Sequence, residues 1–166
     1  DWIKFAGETL AQGLPVVLDG ISMGCTTVLL ATELDLPDQV KAVVADCGFT
    51  SAWEQIKHTI KTNMRLPAFP SLYLVSLFAR IFAGIRLRGC DTRKAMEKNT
   101  TVPVFFATGT RDRVVPPEMT KQNYEACRAP KMLLLTEAAH GMSYLAAKAE
   151  YEKQLEDFLE GCLKRI

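Results

Sequence analysis

Residues 15–24 read Pro15-Val16-Val17-Leu18-Asp19-Gly20-Ile21-Ser22-Met23-Gly24. The apolar run Val16 to Leu18 suits a buried strand at 15–19. Gly20 to Gly24 then match G-x-S-x-G, and Cys25 to Leu34 returns to helical spacing that stops near Pro37. A strand, a tight turn and a helix follow. Such a turn lifts the serine oxygen clear of the backbone at the cost of strain. Glycines two residues to either side remove side chains that would collide with the neighbouring strand and helix. The backbone N–H of Met23, at the helix N-terminus, is placed to stabilise an oxyanion. The plainer alternative is a glycine-rich turn that only joins strand to helix.

Working outward, three more apolar runs read as strands: 40–46, 102–108 and 131–136. Helical spacing covers 1–13, where Trp2, Ile3, Ala6 and Leu10 share a face and Gly13 and Pro15 stop it. It returns at about 51–64, with Ser51 or Thr50 as cap and Glu54 placed for a capping box. Further helices are expected at 72–85, at 91–98, from Pro116-Pro117-Glu118 to about Cys127, and at 147–164. Short apolar strands alternating with helices predict an α/β fold, a parallel sheet of about four strands with helices on both faces. No repeat or linker interrupts it, so 1–166 reads as one domain. Ligands in such sheets bind outside the carboxyl ends of the strands, and Ser22, Asp46, Asp112 and His140 all fall there.

Composition narrows the function classes. The chain has 166 residues, 48% of them hydrophobic, and a formal net charge of +1. It is too apolar for disorder and lacks an electrostatic footprint for nucleic acid. The five cysteines are odd in number with no C-x-x-C, and there are two histidines. That pattern argues against a disulfide framework and against a zinc or His-rich metal site. Neither metal nor organic cofactor is expected, and a reducing, cytoplasmic setting fits. The apolar stretch 66–85 is broken by Pro67, Pro70 and Arg80, which disfavours a membrane span. The chain starts Asp1-Trp2, without Met, signal peptide or transit peptide, and reads as a piece of a longer protein or one with a trimmed start. No G-x-G-x-x-G or P-loop is present to bind nucleotide.

A serine hydroxyl is a weak nucleophile and needs a base. His140, in Ala-Ala-His-Gly, follows the fourth apolar run. Asp112, in Gly-Thr-Arg-Asp, follows the third. Asp112 is placed to hold His140 in the right tautomer and to stabilise its imidazolium. Phe49, Met142 and Tyr144 follow strand ends, where they contact substrate or simply pack. Cys47 reads as a small buried hydrophobe or a pocket wall. His58 is given no role, and Arg86, Arg88, Arg93 and Lys94 read as a solvated face.

These stretches resemble the serine α/β-hydrolase superfamily, and within it the acyl-aminoacyl-peptidase-like and Bem46-like bacterial hydrolases. The likeness rests on 17–24, 43–51, 102–116 and Ala139-His140-Gly141, and the order Ser, Asp, His is that of the family triad. It implies a serine hydrolase acting on a small-molecule ester, thioester or amide carbonyl through Ser22, His140, Asp112 and an acyl-enzyme. Asp46 is the reserve acid, since some members carry the acid after that strand. The resemblance also implies a truncated fold. Family members have about eight strands in a chain of roughly 250–300 residues, and the four read here match the last four. The absent half includes the loop that gives the second oxyanion N–H, which leaves Met23. A helical cap-like insertion is expected at about 52–100. The strand at 15–19 is left with a bare edge, for a homodimer or for a missing N-terminal half to cover. The alternative is a catalytically impaired fragment that serves as an association module.

Overall fold

The computed structural model describes residues 1–164. Four strands, β1 (Val16–Ile21), β2 (Val40–Asp46), β3 (Val104–Gly109) and β4 (Lys131–Thr136), form one parallel sheet in the order β1-β2-β3-β4. Each parallel step needs a crossover, and helices supply it. Helix α1 (Trp2–Phe5) and a π-helical turn (Ala6–Leu10) precede β1, and α2 (Met23–Ala31) joins β1 to β2. Three helices, α3 (Ala52–Thr62), α4 (Ala68–Ala83) and α5 (Thr92–Lys98), lie between β2 and β3. Helix α6 (Pro117–Ala126) joins β3 to β4, and α7 (Ser143–Ala146) and α8 (Lys148–Leu163) complete the described residues.

Period-2 alternation in the strands splits the core into two layers. On one face Val43, Ala45, Val104 and Phe106 pack against Cys25 and Leu29 of α2, Ala95 and Met96 of α5, and Cys127. On the other, Ala42, Val44, Phe105, Ala107 and Leu134 pack against Tyr151, Phe158 and Cys162 of α8. β2 and β3 are buried on both faces because they have a strand on each side and helices above and below. β1 differs from the buried strand expected at 15–19. Among the described residues it pairs with β2 alone, and its residues Val17, Asp19 and Ile21 are exposed along a groove of about 490 Å³ over α8.

Two other expectations change. The helix expected over 1–13 divides into α1 and the π turn, where Ala11 N–H donates to Ala6 O. Trp2 is 82% exposed and Leu10 68%, while Ile3 and Ala6 on the same face are half-buried, so the expected apolar face is covered only in part. Within 52–100, α5 belongs to the sheet's own core, whereas α3 and α4 pack on each other, Trp53 edge-on to Tyr73. Ser51 caps α3, accepting from Glu54 N at 3.2 Å. The outer side of α4 exposes Leu74, Leu77, Phe78, Ile81 and Phe82. Among the described residues no helix is long and apolar enough to cross a membrane.

Of the two motif glycines, one carries the steric argument. A Cβ on Gly20 would collide with the Gly24 carbonyl and come within 2.6 Å of Cys25 N. Gly24 sits on the exposed side of α2, and a Cβ there would meet nothing within 4 Å. Gly20→Ala is therefore expected to cost about 3 kcal/mol, the upper range for overpacking, because backbone must move. Gly24→Ala is expected to stabilise by about 0.5–1 kcal/mol through helix propensity. Urea unfolding of both variants separates the two expectations.

Candidate active site

The carboxyl ends of all four strands converge. Ser22 follows β1 directly, with φ 56° and ψ −114°. A non-glycine residue there stores of order 1–3 kcal/mol of strain. Bonds to its backbone hold it: Ser22 N–H donates to Asp46 O (2.9 Å), and Ser22 O accepts from Thr26 N (3.2 Å) and from Thr26 Oγ1 (3.5 Å). Cys47, directly after β2, also has a positive φ of 46° and donates its N–H to Ala107 O at 2.8 Å. Neighbouring strands thus both end in strained turns.

Asp112 stands in the loop after β3, with its side chain fully buried. Its Oδ1 accepts from Val114 N (2.8 Å) and Val115 N (2.9 Å), which fixes the carboxylate and leaves Oδ2 to the site. His140 follows β4, and its Nδ1 lies 2.6 Å from Asp112 Oδ2. An ionised carboxylate only accepts, so the ring proton sits on Nδ1 and Nε2 is left as an acceptor. Ser22 Oγ lies 2.9 Å from that Nε2 and donates to it. The three side chains form one hydrogen-bonded line across residues separated by 118 positions. Met23 is the first residue of α2, so its N–H has no intrahelical acceptor.

Asp46 is elsewhere. It is 2% exposed, and its Oδ1 accepts from Ser143 Oγ at 3.3 Å, so the carboxylate on His140 is Asp112. Through its backbone and side chain Asp46 ties Ser22 to the segment after His140. Ser143 was invisible to sequence reasoning, because that contact spans 97 residues and leaves no local spacing. Burial pushes the Asp46 carboxyl above the usual carboxylate range, and Asp19 adds to this; hydrogen bonds from Ser143 and Cys47 and the nearby His140 oppose it. A carboxyl raised by folding stabilises the fold fully below its ordinary pKa and loses that contribution as pH rises through the raised value. Once ionised, its buried charge is a net cost. Asp46→Asn, which keeps an acceptor for Ser143, is expected to melt at or above wild type at neutral pH, with the difference shrinking as pH falls into the carboxylate range. Ester turnover should stay within the same order of magnitude. Melting curves at several pH values and a turnover assay check both.

The other candidates spread around this line. Phe49 is half-buried, and its carbonyl accepts from Thr26 Oγ1 and Thr92 Oγ1, both at 3.2 Å. Met142 is exposed. Tyr144 donates its hydroxyl to Glu152 Oε1 (2.7 Å), stacks edge-on against Tyr151 and lines the groove beside β1. His58 Nε2–H donates to Arg113 O (3.2 Å) and Gln55 Nε2 to Val114 O (2.8 Å), which fastens α3 onto the loop that carries Asp112. Arg88 lies 3.8 Å over the Trp53 ring and Arg93 pairs with Asp91, so neither is simply solvated. Burial, then the Asp46 charge, pushes the Cys47 thiol up to about 12, which favours the protonated thiol. A cleft of about 470 Å³ around Pro37, Val40 and Pro103 opens at the amino ends of the strands, the wrong end for this chemistry.

The profile of the serine hydrolase (FSH1) family matches residues 20–142, from the turn glycine to just past the histidine. The chain belongs to the FSH1 serine hydrolase family. It is 31% identical over 154 residues to the uncharacterized protein YqkD of Bacillus subtilis, covering 92% of this chain and 50% of that protein. Among solved structures it is similar to the Pyrococcus furiosus esterase Pf2001, with a TM-score of 0.69, 20% identity, and 97% of this chain against 59% of that one. The Pyrococcus horikoshii acylaminoacyl peptidase superposes with a TM-score of 0.59 and 16% identity, over 88% of this chain and 23% of that one. These likenesses place the fold as α/β-hydrolase. This FSH1 family chain spans half the length of YqkD and about three fifths of the esterase. That fits a sheet of four strands with β1 at a bare edge.

Proposed function

We propose that this chain carries the acyl-transfer machinery of a serine hydrolase acting on a small-molecule ester, thioester or amide. The observation that carries the reading is the continuous line Ser22 Oγ–His140 Nε2 at 2.9 Å and His140 Nδ1–Asp112 Oδ2 at 2.6 Å. Ser22 Oγ attacks the carbonyl carbon while its proton passes to His140 Nε2. Asp112 stabilises the resulting imidazolium, the Met23 N–H takes the oxyanion, and His140 returns the proton to the leaving group. Water, deprotonated by the same nitrogen, then releases the acyl group. Phe49 and Met142 shape the acyl side, with Tyr144 at the rim. Helices α3 and α4 act as a lid fastened to the loop that carries Asp112. Acid-quenching a reaction with p-nitrophenyl acetate should leave one acetyl group on the peptide containing Ser22. Turnover without that adduct would mean direct attack by water.

A second reading has its own support: Met23 supplies a single backbone donor, and β1 has a bare edge. Loss of one oxyanion donor costs about 2.7–4 kcal/mol of transition-state stabilisation. On this reading the chain works as an association module, or becomes active only when β1 is covered. The cover is a second copy pairing β1 across a two-fold axis, or the N-terminal part of a longer chain. A monomer by light scattering at micromolar concentration, without turnover, would leave the longer chain as the remaining cover.

A further inference from the structure

Cys47 takes no part in the mechanism above, yet it sits inside the site. Its Sγ, a carboxylate oxygen of Asp112 and a ring nitrogen of His140 all lie within 4.8 Å of one another. These donors come from the ends of β2, β3 and β4, so no spacing rule applied to the sequence could group them. We propose that Cys47, Asp112 and His140 form an inhibitory site for a thiophilic divalent cation, with Zn²⁺ the best match.

The donor set selects the ion. One thiolate, one imidazole and one carboxylate are a borderline-soft set, suited to Zn²⁺ and unsuited to Mg²⁺ or Ca²⁺. Bonds of about 2.3 Å to sulfur and about 2.0–2.1 Å to nitrogen and oxygen put tetrahedral ligand atoms roughly 3.3–3.6 Å apart. The observed cluster reaches that when His140 Nδ1 and Asp112 Oδ2 part from 2.6 Å and the Cys47 Sγ, within 4.8 Å of both ligand atoms, closes on the ion. The Asp112 carboxylate is already fixed through Oδ1 by Val114 N and Val115 N, so Oδ2 is presented without further ordering. Charge agrees as well. Thiolate and Asp112 carboxylate together balance a dication, which also offsets the hydrogen bond that Cys47 gives up to the adjacent Asp46 when its thiol is deprotonated. The His140 side chain is 22% exposed, which gives an ion a way in from the Ser22 side. Three protein ligands leave the fourth position to water.

Occupation removes the base by tautomerism. The ion takes the lone pair of His140 Nδ1 and replaces the Nδ1–H···Oδ2 bond to Asp112. The Cys47 thiol proton is lost to solvent, and the ring proton moves from Nδ1 to Nε2, so one proton is released per ion. A neutral imidazole ligated through Nδ1 carries its hydrogen on Nε2. That nitrogen then donates to Ser22 Oγ and can no longer take its proton. Inhibition thus follows from the identity of the ligating nitrogen.

The inhibition arm rests on Ser22 being the nucleophile; the binding arm does not. Cd²⁺ titrated into the whole chain should give a thiolate-to-cadmium charge-transfer band that saturates at one ion. At free Zn²⁺ about ten times its dissociation constant, fluorophosphonate labelling should slow about tenfold by mass action, and EDTA should restore it. Cys47→Ala should lose both effects while labelling normally without metal, and Cys47→Ser serves if the alanine variant does not fold. A band that persists in the variant arises from another thiol, such as exposed Cys90, and overturns the site. So does Zn²⁺ inhibition that survives the substitution. A wild-type band lost in Cys47→Ala, in protein that never labels even without metal, would support the ion site and defeat the hydrolase reading instead.

Discussion

Ser22→Ala is expected to lower kcat toward p-nitrophenyl acetate by about 10⁴–10⁶-fold. At about 1.36 kcal/mol per decade, this corresponds to roughly 5–8 kcal/mol of transition-state stabilisation. On the proposed mechanism no acyl-enzyme forms without Oγ, and what remains is binding plus the Met23 N–H. Such remnants typically retain about 10³–10⁴ over water when the oxyanion hole is complete. Here the described residues offer Met23 as donor, so the remnant should be at the low end. The fold should be little changed, because backbone N–H and C=O bonds hold the Ser22 turn and the bond lost with Oγ is the one to the His140 ring. Initial rates on protein with a verified wild-type melting curve measure it. A variant that keeps a tenth of wild-type turnover would place the chemistry elsewhere.

Asp112→Asn should lower kcat by about 10⁴-fold with little change in stability. The asparagine carbonyl oxygen can still accept from Val114 N and Val115 N, as Oδ1 does now. Its Nδ2 then faces His140 Nδ1, where Asp112 Oδ2 now lies at 2.6 Å. An amide N–H donates, so it selects the tautomer with Nδ1 bare and the proton on Nε2. Nε2 then cannot accept from Ser22 Oγ. The contrast with Asp46→Asn is the informative part, because both are buried carboxylates on the carboxyl side of the sheet, one ending β2 and one in the loop after β3. Equal losses in the two variants would break the assignment of roles.

Much of this architecture is legible in the sequence. The four strands were readable because β2, β3 and β4 are continuous apolar runs and β1 ends in an unusual G-x-S-x-G turn. Ser22, Asp112 and His140 stood out because each lies within four residues of a strand end. What was not legible depends on partners distant in sequence. Trp2 and Leu10 have the spacing of a buried face, but spacing does not say whether a layer is there to cover it. The same holds for Val17 and Ile21 on β1. Gly24 matched the motif without a steric need, because a pattern cannot tell a crowded glycine from an open one. The Asp46–Ser143 bond and the approach of Cys47 to Asp112 and His140 are products of strand order, which composition and periodicity do not encode.

The central claim is that Ser22, His140 and Asp112 act together within this chain. Intact-mass analysis after reaction with a fluorophosphonate tests it most directly, since the reagent modifies a serine only when a base activates it. The account predicts one adduct per chain, mapped to the peptide bearing Ser22 and absent from Ser22→Ala. Folded wild-type protein that takes up no adduct, or one that persists in Ser22→Ala, would contradict it.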